Sequence, residues 1–190
     1  MTGNLVKLLG LTVAVAMTWS CLRAPAQESA SVEYKVKAAY LFNFAKFVEW
    51  PVGSFPAKNT PITLGLVGKD PFGSDLEKTF ENKTIEGRAL QIKRFAEGED
   101  LRQCHILFIC ASERKRLPQI FEKLQGGSVL TVGEVEEFNA LGGMISFITQ
   151  ENTIRFDIKD EAAARVGLKV SSKLLQVAKA SRQSRERSKD

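Results

Sequence analysis

Two cysteines and the one histidine of the chain surround a short apolar run, and they are its first candidates for chemistry. Cys104 and His105 precede the residues ILFI, and Cys110 follows them, a pattern typical of a central strand covered on both faces. On a continuous strand at about 3.3 Å per residue the two cysteines lie roughly 20 Å apart. That distance excludes a shared metal ion or a disulfide between them.

The predicted strand also determines what these residues can do. The even separation of Cys104 and Cys110 puts both on one face of the strand, and we expect two buried thiols. A labile or intermolecular disulfide stays open as the alternative; it would make these two the redox residues and would allow a homodimer. His105 lies in the apolar run, where a histidine is more often a packed, hydrogen-bonded residue than a general base.

The remaining polar residues form no recognisable catalytic set. The sequence has no nucleophile elbow, no carboxylates paired at a telling spacing and no zinc motif. Because a base and nucleophile pair is missing, we predict a protein that is not an enzyme and has no cofactor. The acids near possible turns are expected to be ordinary surface residues: Asp70, Asp75, Glu134, Glu136 and Glu137.

A turn after the predicted strand Ile62–Val67 is the candidate ligand cleft. Gly68, Lys69, Asp70 and Ser74 lie between the carboxyl end of that strand and the start of a helix, where α/β proteins bind ligands. The turn matches neither the dinucleotide pattern nor the P-loop. Ordinary turn chemistry explains its glycines, and a small anionic ligand stays open as the alternative.

An aromatic helix over residues 32–50 is the candidate surface for a protein partner. One face of a helix cannot bury all of its aromatic side chains, so some of them are free to contact a partner, although a helix packed between sheet and loop explains them equally well. We predict a buried face of Val32, Val36, Ala39, Tyr40, Phe44, Phe47 and Val48, and partner contacts from Tyr40, Phe42, Phe44, Phe47 and Trp50.

The elements that position these residues alternate between strand and helix. After the first helix, which ends where Trp50 meets Pro51, strands are predicted at 62–67, 85–95, 105–109 and 128–132, with helices at 75–80, 113–124 and 135–141. A hairpin of 144–149 and 153–158 and a helix from 160 to 179, broken at Gly167, follow. This order predicts one compact α/β domain, a mixed β-sheet flanked by helices that ends in an antiparallel hairpin and a helix.

The first residues are typical of a cleavable signal peptide. Lys7 precedes an apolar run that is too short to span a bilayer, and Ala24 and Ala26 fit signal peptidase, so residues 1–26 are the predicted signal and the mature protein is periplasmic. Lipidation at Cys21 stays open. Without the signal, 25 basic residues face 22 acidic ones, a net charge of +3. Nucleic-acid binding is not expected in this compartment.

Residues 27–180 form the predicted domain, and residues 181–190 form a basic tail without apolar periodicity. We expect this tail to be disordered. Weak attraction to anionic lipid headgroups is the alternative.

Three strings of residues together resemble one known family. They are EYKVKAAYLFNFAKFVEWP at 33–51, GGMI at 142–145 and GLKVSSKLL at 167–175. The combination resembles the YfiR-like exported proteins, and the likeness runs from Glu33 to about Ala178.

The resemblance implies a periplasmic regulator that is not an enzyme. It implies that the partner is the periplasmic domain of an inner-membrane diguanylate cyclase, which the regulator holds inactive. An outer-membrane lipoprotein would relieve the inhibition, and cyclic di-GMP and biofilm formation would be the output. The characterised relative is held by disulfides, whereas only Cys104 and Cys110 remain in this mature chain. The alternative function is a small-ligand sensory module that acts on another membrane receptor.

Overall fold

The computed structural model describes residues 25–150 and 153–187. Contacts group residues 33–190 into one unit, the α/β domain, and residues 1–32 into another, of which only the helical stretch 25–32 is described. Cys21 and residues 1–24 of the predicted signal peptide therefore lie outside the described residues.

Five helices and nine strands follow one another in the described part of the chain. Three short 3₁₀ segments, at Val52–Ser54, Leu101–Gln103 and Ala111–Arg116, connect some of them. In chain order the elements are α1 Pro25–Phe47, β1 Val48–Glu49, β2 Ile62–Val67, α2 Asp75–Phe80, β3 Thr84–Ile85, β4 Arg88–Phe95, β5 Ile106–Ile109, α3 Leu117–Lys123, β6 Leu130–Gly133, β7 Ile145–Gln150, β8 Thr153–Ile158, α4 Asp160–Arg165, β9 Lys169–Val170 and α5 Ser172–Arg187.

The main sheet has seven strands in the order β3-β4-β2-β5-β6-β7-β8. The five from β4 to β7 are parallel, and β3 and β8 pair antiparallel at the two edges. The mixed sheet and the C-terminal hairpin confirm the predicted fold class. β5 lies in the centre, with all four residues buried, as its unbroken apolar run predicts.

Two hydrophobic cores cover the two faces of the sheet. The first contains the inner side of α1 with Leu64 and Phe108, and the second contains α3 with Leu107 and Phe138. Alternate residues of each central strand therefore enter opposite cores, which is the period of two that a pleated strand imposes.

Cys104 and Cys110 do not share a face, contrary to the prediction. Cys110 lies in the first core and Cys104 in the second. The prediction assumed one continuous strand, but β5 spans only Ile106–Ile109. Cys110 continues the side of Ile106 and Phe108, whereas Cys104, which precedes the strand, departs from this alternation.

Local turn chemistry changes two predicted elements. The predicted strand 85–95 is a tight hairpin of β3 and β4, because Glu86 and Gly87 both adopt positive φ, 52° and 77°. The predicted acidic helix at 135–141 is a series of turns closed by the bond from the Gly143 N–H to the Phe138 carbonyl. α2 is found at the predicted residues; Ser74 precedes it without a side-chain cap, and Glu77 pairs with Arg94.

The C-terminal region is broken at Gly167, as predicted, where φ is +80°. Val170 nevertheless belongs to β9, and Val177 is exposed, so Leu174 and Ala178 form the buried stripe of α5. α5 also continues to Arg187, into the segment for which the sequence predicts a disordered tail. Its Arg182 pairs with Asp157 of β8.

Candidate functional site

The inner face of α1 carries the most unusual buried side chain of the described residues. Its buried stripe is Lys37, Ala38, Leu41, Phe44, Ala45 and Val48, at helical spacing. The predicted face was rotated from this one: Val36 is 38% exposed, and Ala39 is exposed as well. α1 is apolar on several sides, so periodicity alone could not choose between the faces.

Lys37 is 2% exposed, and two carboxylates hold its ammonium. The Nζ atom lies 2.5 Å from Glu33 Oε1, one turn earlier on α1, and 2.6 Å from Glu134 Oε2, just after β6. The sequence does not predict this site, because its helical pattern leaves Lys37 outside the predicted buried face and Glu134 is expected on the surface. Glu134 is in fact only 11% exposed. A lysine buried this deeply needs paired and hydrogen-bonded partners.

Neighbouring groups complete this cluster. The Tyr34 hydroxyl donates to Glu134 at 3.3 Å, and Thr149 Oγ1 donates to Glu33 at 2.9 Å. Burial and the Glu134 charge raise the pKa of Tyr34. Burial also opposes ionisation of Glu33, but hydrogen bonds from Lys37 and Thr149 outweigh it and lower the pKa of that carboxyl. The cluster therefore holds α1 to the carboxyl edge of the sheet in a charged, hydrogen-bonded state.

The aromatic side chains predicted to contact a partner are mainly packing residues. Phe44 is fully buried, and Tyr40 lies 5.2 Å from Phe156, ring centroid to ring centroid. Phe42 and Phe47 are partly buried on opposite flanks of α1, and the Nζ atoms of Lys83 and Lys46 lie 4.8 and 5.7 Å from their ring centroids. Any partner contact from this group thus falls to the partly exposed rings.

The chain just after α1 is held at the amino edge of the sheet around His105. The Trp50 indole donates to the His105 carbonyl at 3.2 Å. The Thr63 N–H donates to Nδ1 of the histidine at 3.1 Å, which leaves the proton on Nε2, 3.2 Å from the Ser54 carbonyl. The Phe55 ring stacks on the imidazole, with centroids 4.4 Å apart. His105 is thus a packed, hydrogen-bonded residue.

Arg88 of β4 closes the other side of this group. Its Nη1 donates to the carbonyls of Ala57, Lys58 and Thr60, and its guanidinium lies 4.1 Å from the Phe55 ring centroid. Burial, together with the Arg88 charge, lowers the pKa of His105. The neutral imidazole therefore belongs to the folded arrangement of the 51–61 loop.

The predicted ligand cleft lies where the strand order reverses, between the carboxyl ends of β2 and β5. Its donors are already used: the Lys69 N–H donates to Ser112 Oγ, and the Phe72 N–H donates to Asp70 Oδ1. A Cβ at Gly68, where φ is +97°, would lie 2.4 Å from that Ser112 oxygen. Ser74 is exposed and caps nothing with its side chain.

A cavity of about 190 Å³ lies next to this turn, on the side of the second core. Gly68 is in its wall, and Arg116 bridges Glu113 and Glu97 at its rim, with N–O distances of 3.1 and 3.0 Å. Gly68 is the member of the predicted cleft that lines this cavity, and Ser74 lines a separate, more open one beside α2.

Cys104 and Cys110 are free thiols. Burial raises the pKa of Cys104 and of Cys110 to about 12. Thiols with so little thiolate at neutral pH are poor nucleophiles and resist oxidation.

Among residues 25–150 and 153–187, no group of His, Cys, Asp and Glu side chains could hold a metal ion. The helices of that same part are too short or too polar to cross a membrane.

Fold and site together define a class of α/β domain in which the first helix is fastened at the carboxyl ends of the strands and the chain after it at their amino ends. The family model described as YfiR/HmsC-like, DUF4154, matches residues 34–179, so the chain belongs to that family. The family is regulatory and is associated with cyclic di-GMP signalling. No curated protein sequence matches the chain.

Proposed function

We propose that this protein is a periplasmic regulator that binds the extracytoplasmic domain of an inner-membrane diguanylate cyclase and keeps the cyclase inactive. The observation that carries the proposal is the family match over residues 34–179. The signal-like residues 1–26 support it, because an exported protein can reach a cytoplasmic cyclase only through the part of that enzyme outside the membrane. Cyclic di-GMP and biofilm formation are then the output, and an outer-membrane lipoprotein would sequester the regulator.

In this role the chain works by contact and needs no chemical step. Inhibition requires that the regulator bind the inactive form of the cyclase more tightly than the active form. A rigid domain suits this task. The fastening of α1 at Lys37, and that of the chain after α1 around His105, are consistent with a preformed surface.

Deletion of the gene tests the proposal. Cellular cyclic di-GMP and surface-attached growth should rise in the deletion strain and return to normal when the full chain is supplied. The same chain without residues 1–26 should fail to complement. Unchanged cyclic di-GMP in the deletion strain under several growth conditions would contradict the proposal.

The second candidate function is small-ligand sensing on behalf of another membrane receptor. The cavity of about 190 Å³ beside Gly68 favours it, since the guanidinium of Arg116 at its rim would meet an anionic group. A thermal-shift screen of small carboxylates and phosphates tests it. Two results together would favour this function over the first. One is a ligand-dependent rise in melting temperature that disappears in Arg116→Ala, and the other is a pull-down with this protein that recovers no cyclase.

A further inference from the structure

We propose that the outward face of α1 binds an amphipathic helix with acidic flanks on the partner protein. This inference rests on the proposed function and adds to it the surface used and the chemistry of the segment bound. The face is defined by Lys35, Val36, Ala39, Asn43 and Lys46, which follow one another at helical spacing on the side opposite the buried stripe.

The shape of this face suits a helix. Val36, Ala39 and Asn43 form a ridge at steps of three and four residues, which is the spacing along which helices pack. Val36 is 38% exposed. Ala39, at the centre, is small and exposed, so a second helix could approach α1 closely there.

The charges of the face select the sign of the partner. Lys35 and Lys46 are exposed on it, and Lys83, also exposed, lies over the Phe42 ring on its flank. From Val36 to Phe47 the sequence has no acidic residue. The acid one turn before, Glu33, is bound by Lys37 and Thr149 on the buried side. The face therefore carries small, mainly apolar side chains along its centre, interrupted by Asn43, and basic ones at its two ends and on the Phe42 flank. This arrangement complements carboxylates beside an apolar stripe.

A second copy of this chain fits the face less well. Two such faces would bring Lys35 and Lys46 of one protomer against the same lysines of the other, and like charges at an interface are unfavourable. The same lysines attract an acidic partner.

Charge reversal on the two faces of the domain gives the test. The double variant Lys35→Glu with Lys46→Glu reverses the charge of the face. The control is Lys115→Glu. Lys115 is an exposed lysine in the segment leading into α3, and α3 packs on the second core. In cells the double variant should raise cyclic di-GMP towards the level of the deletion strain, at normal protein abundance and melting temperature. The control should behave as the wild type.

Photocrosslinking from one position on each of these two surfaces identifies what is bound. A photoreactive residue at Ala39 should recover a cyclase with an extracytoplasmic domain, and one at Lys115 should not. With that purified domain, the double variant should bind about tenfold more weakly at low salt, with the difference reduced at high salt.

The outcomes separate the two proposals. Crosslinking of the cyclase from position 115 instead of 39, or normal repression by the double variant, would overturn the surface and leave the proposed function standing. Crosslinking of a second copy of the chain from position 39 would also overturn it. Unchanged cyclic di-GMP in the deletion strain would overturn the proposed function, and the surface with it.

Discussion

The ammonium of Lys37 lies 2.6 Å from Glu134 Oε2 and so joins the first helix of the domain to the segment that follows the sixth strand. The two residues are 97 positions apart in the sequence. Lys37 is neutralised by groups from both sides, Glu33 on its own helix and Glu134 across the sheet edge. The orientation of α1 on the sheet is therefore set by a charge cluster as well as by apolar packing.

Replacement of Lys37 by alanine should destabilise the domain by about 3 kcal/mol, because Glu33 and Glu134 would be left without their buried partner. Urea unfolding at pH 7 measures the loss. The control is Lys35→Ala, an exposed lysine two residues away, which should change the free energy of unfolding by less than about 0.5 kcal/mol. Equal effects of the two variants would contradict the assigned role of the cluster.

His105 should make the stability of the domain depend on pH in mildly acidic solution. Its pKa is lowered from the ordinary 6.5 in the folded state, mainly by burial, so the unfolded chain binds the proton more readily. The contribution of the neutral imidazole to the free energy of unfolding is thus fully present above pH 6.5. It is lost as the pH falls below that value towards the lowered folded pKa. Protonation would also put an N–H at Nδ1 against the donating Thr63 N–H. Arg102 also lines the cleft beside the imidazole.

Urea unfolding at pH 7.5 and at pH 5.5 checks this dependence. The variant His105→Phe keeps a ring against Phe55 but leaves the Thr63 N–H unpaired. It should cost about 1–2 kcal/mol at pH 7.5 and show a flatter response between the two pH values. His105 is the one histidine of the chain, so an equally steep response in the variant would contradict the assignment.

The fold was largely predictable from the sequence, because its strands are short apolar runs between turn residues. β2 and the hairpin of β7 and β8 were predicted nearly to the residue. The end of α1 was not. The sequence predicts helix up to Trp50, but Val48 pairs with Val170 in β1 and β9, and no local pattern reveals so distant a partner. The sequence of residues 135–141 is typical of a helix, but in the fold this segment forms turns, and Phe138 packs in the second core.

The site was less predictable than the fold for a physical reason. A buried lysine cannot be distinguished from an exposed one by residue type, since the pattern assigns Lys to the solvent side. A stripe of Ala38, Leu41, Ala45 and Val48 was available in the sequence as a signal, with Lys37 beside it. Its partner Glu134 carries no such signal, because only the folded sheet brings the end of β6 next to α1.

Gly143 should not tolerate even a methyl group. A Cβ there would lie 2.2 Å from the Phe138 ring, and one at Gly133 would lie 2.4 Å from it. Gly143→Ala should therefore cost about 3 kcal/mol through overpacking. Gly53→Ala is the matched control, because nothing lies within 4 Å of a Cβ at that position.

The melting temperatures of these variants give the comparison. Gly143→Ala should lower the melting temperature less in the Phe138→Leu background than in the wild type, because the smaller side chain leaves room for the methyl group. If the second substitution only adds its own cost, the Phe138 ring is not the obstacle.

Cys104 and Cys110 should be unreactive in the folded protein. Both are buried, with pKa values raised to about 12. The protein from residue 27 onwards should show no fast thiol in a disulfide-exchange assay at pH 7.5 and two thiols in 6 M guanidinium. Its melting temperature should be the same with oxidised or reduced glutathione. A covalent dimer on a non-reducing gel would restore the alternative of an intermolecular disulfide.

The two-residue ribbon of β1 and β9 couples the beginning of the domain to its end. Val48 pairs with Val170, and the Ser171 N–H donates to the Phe47 carbonyl. Because the N-terminus is synthesised first, α1 and β1 are complete long before the residues of β9 are available for this pairing. A chain that ends before Lys169 would therefore lack this pairing beyond the end of α1, and such a fragment would be a ready substrate for proteases.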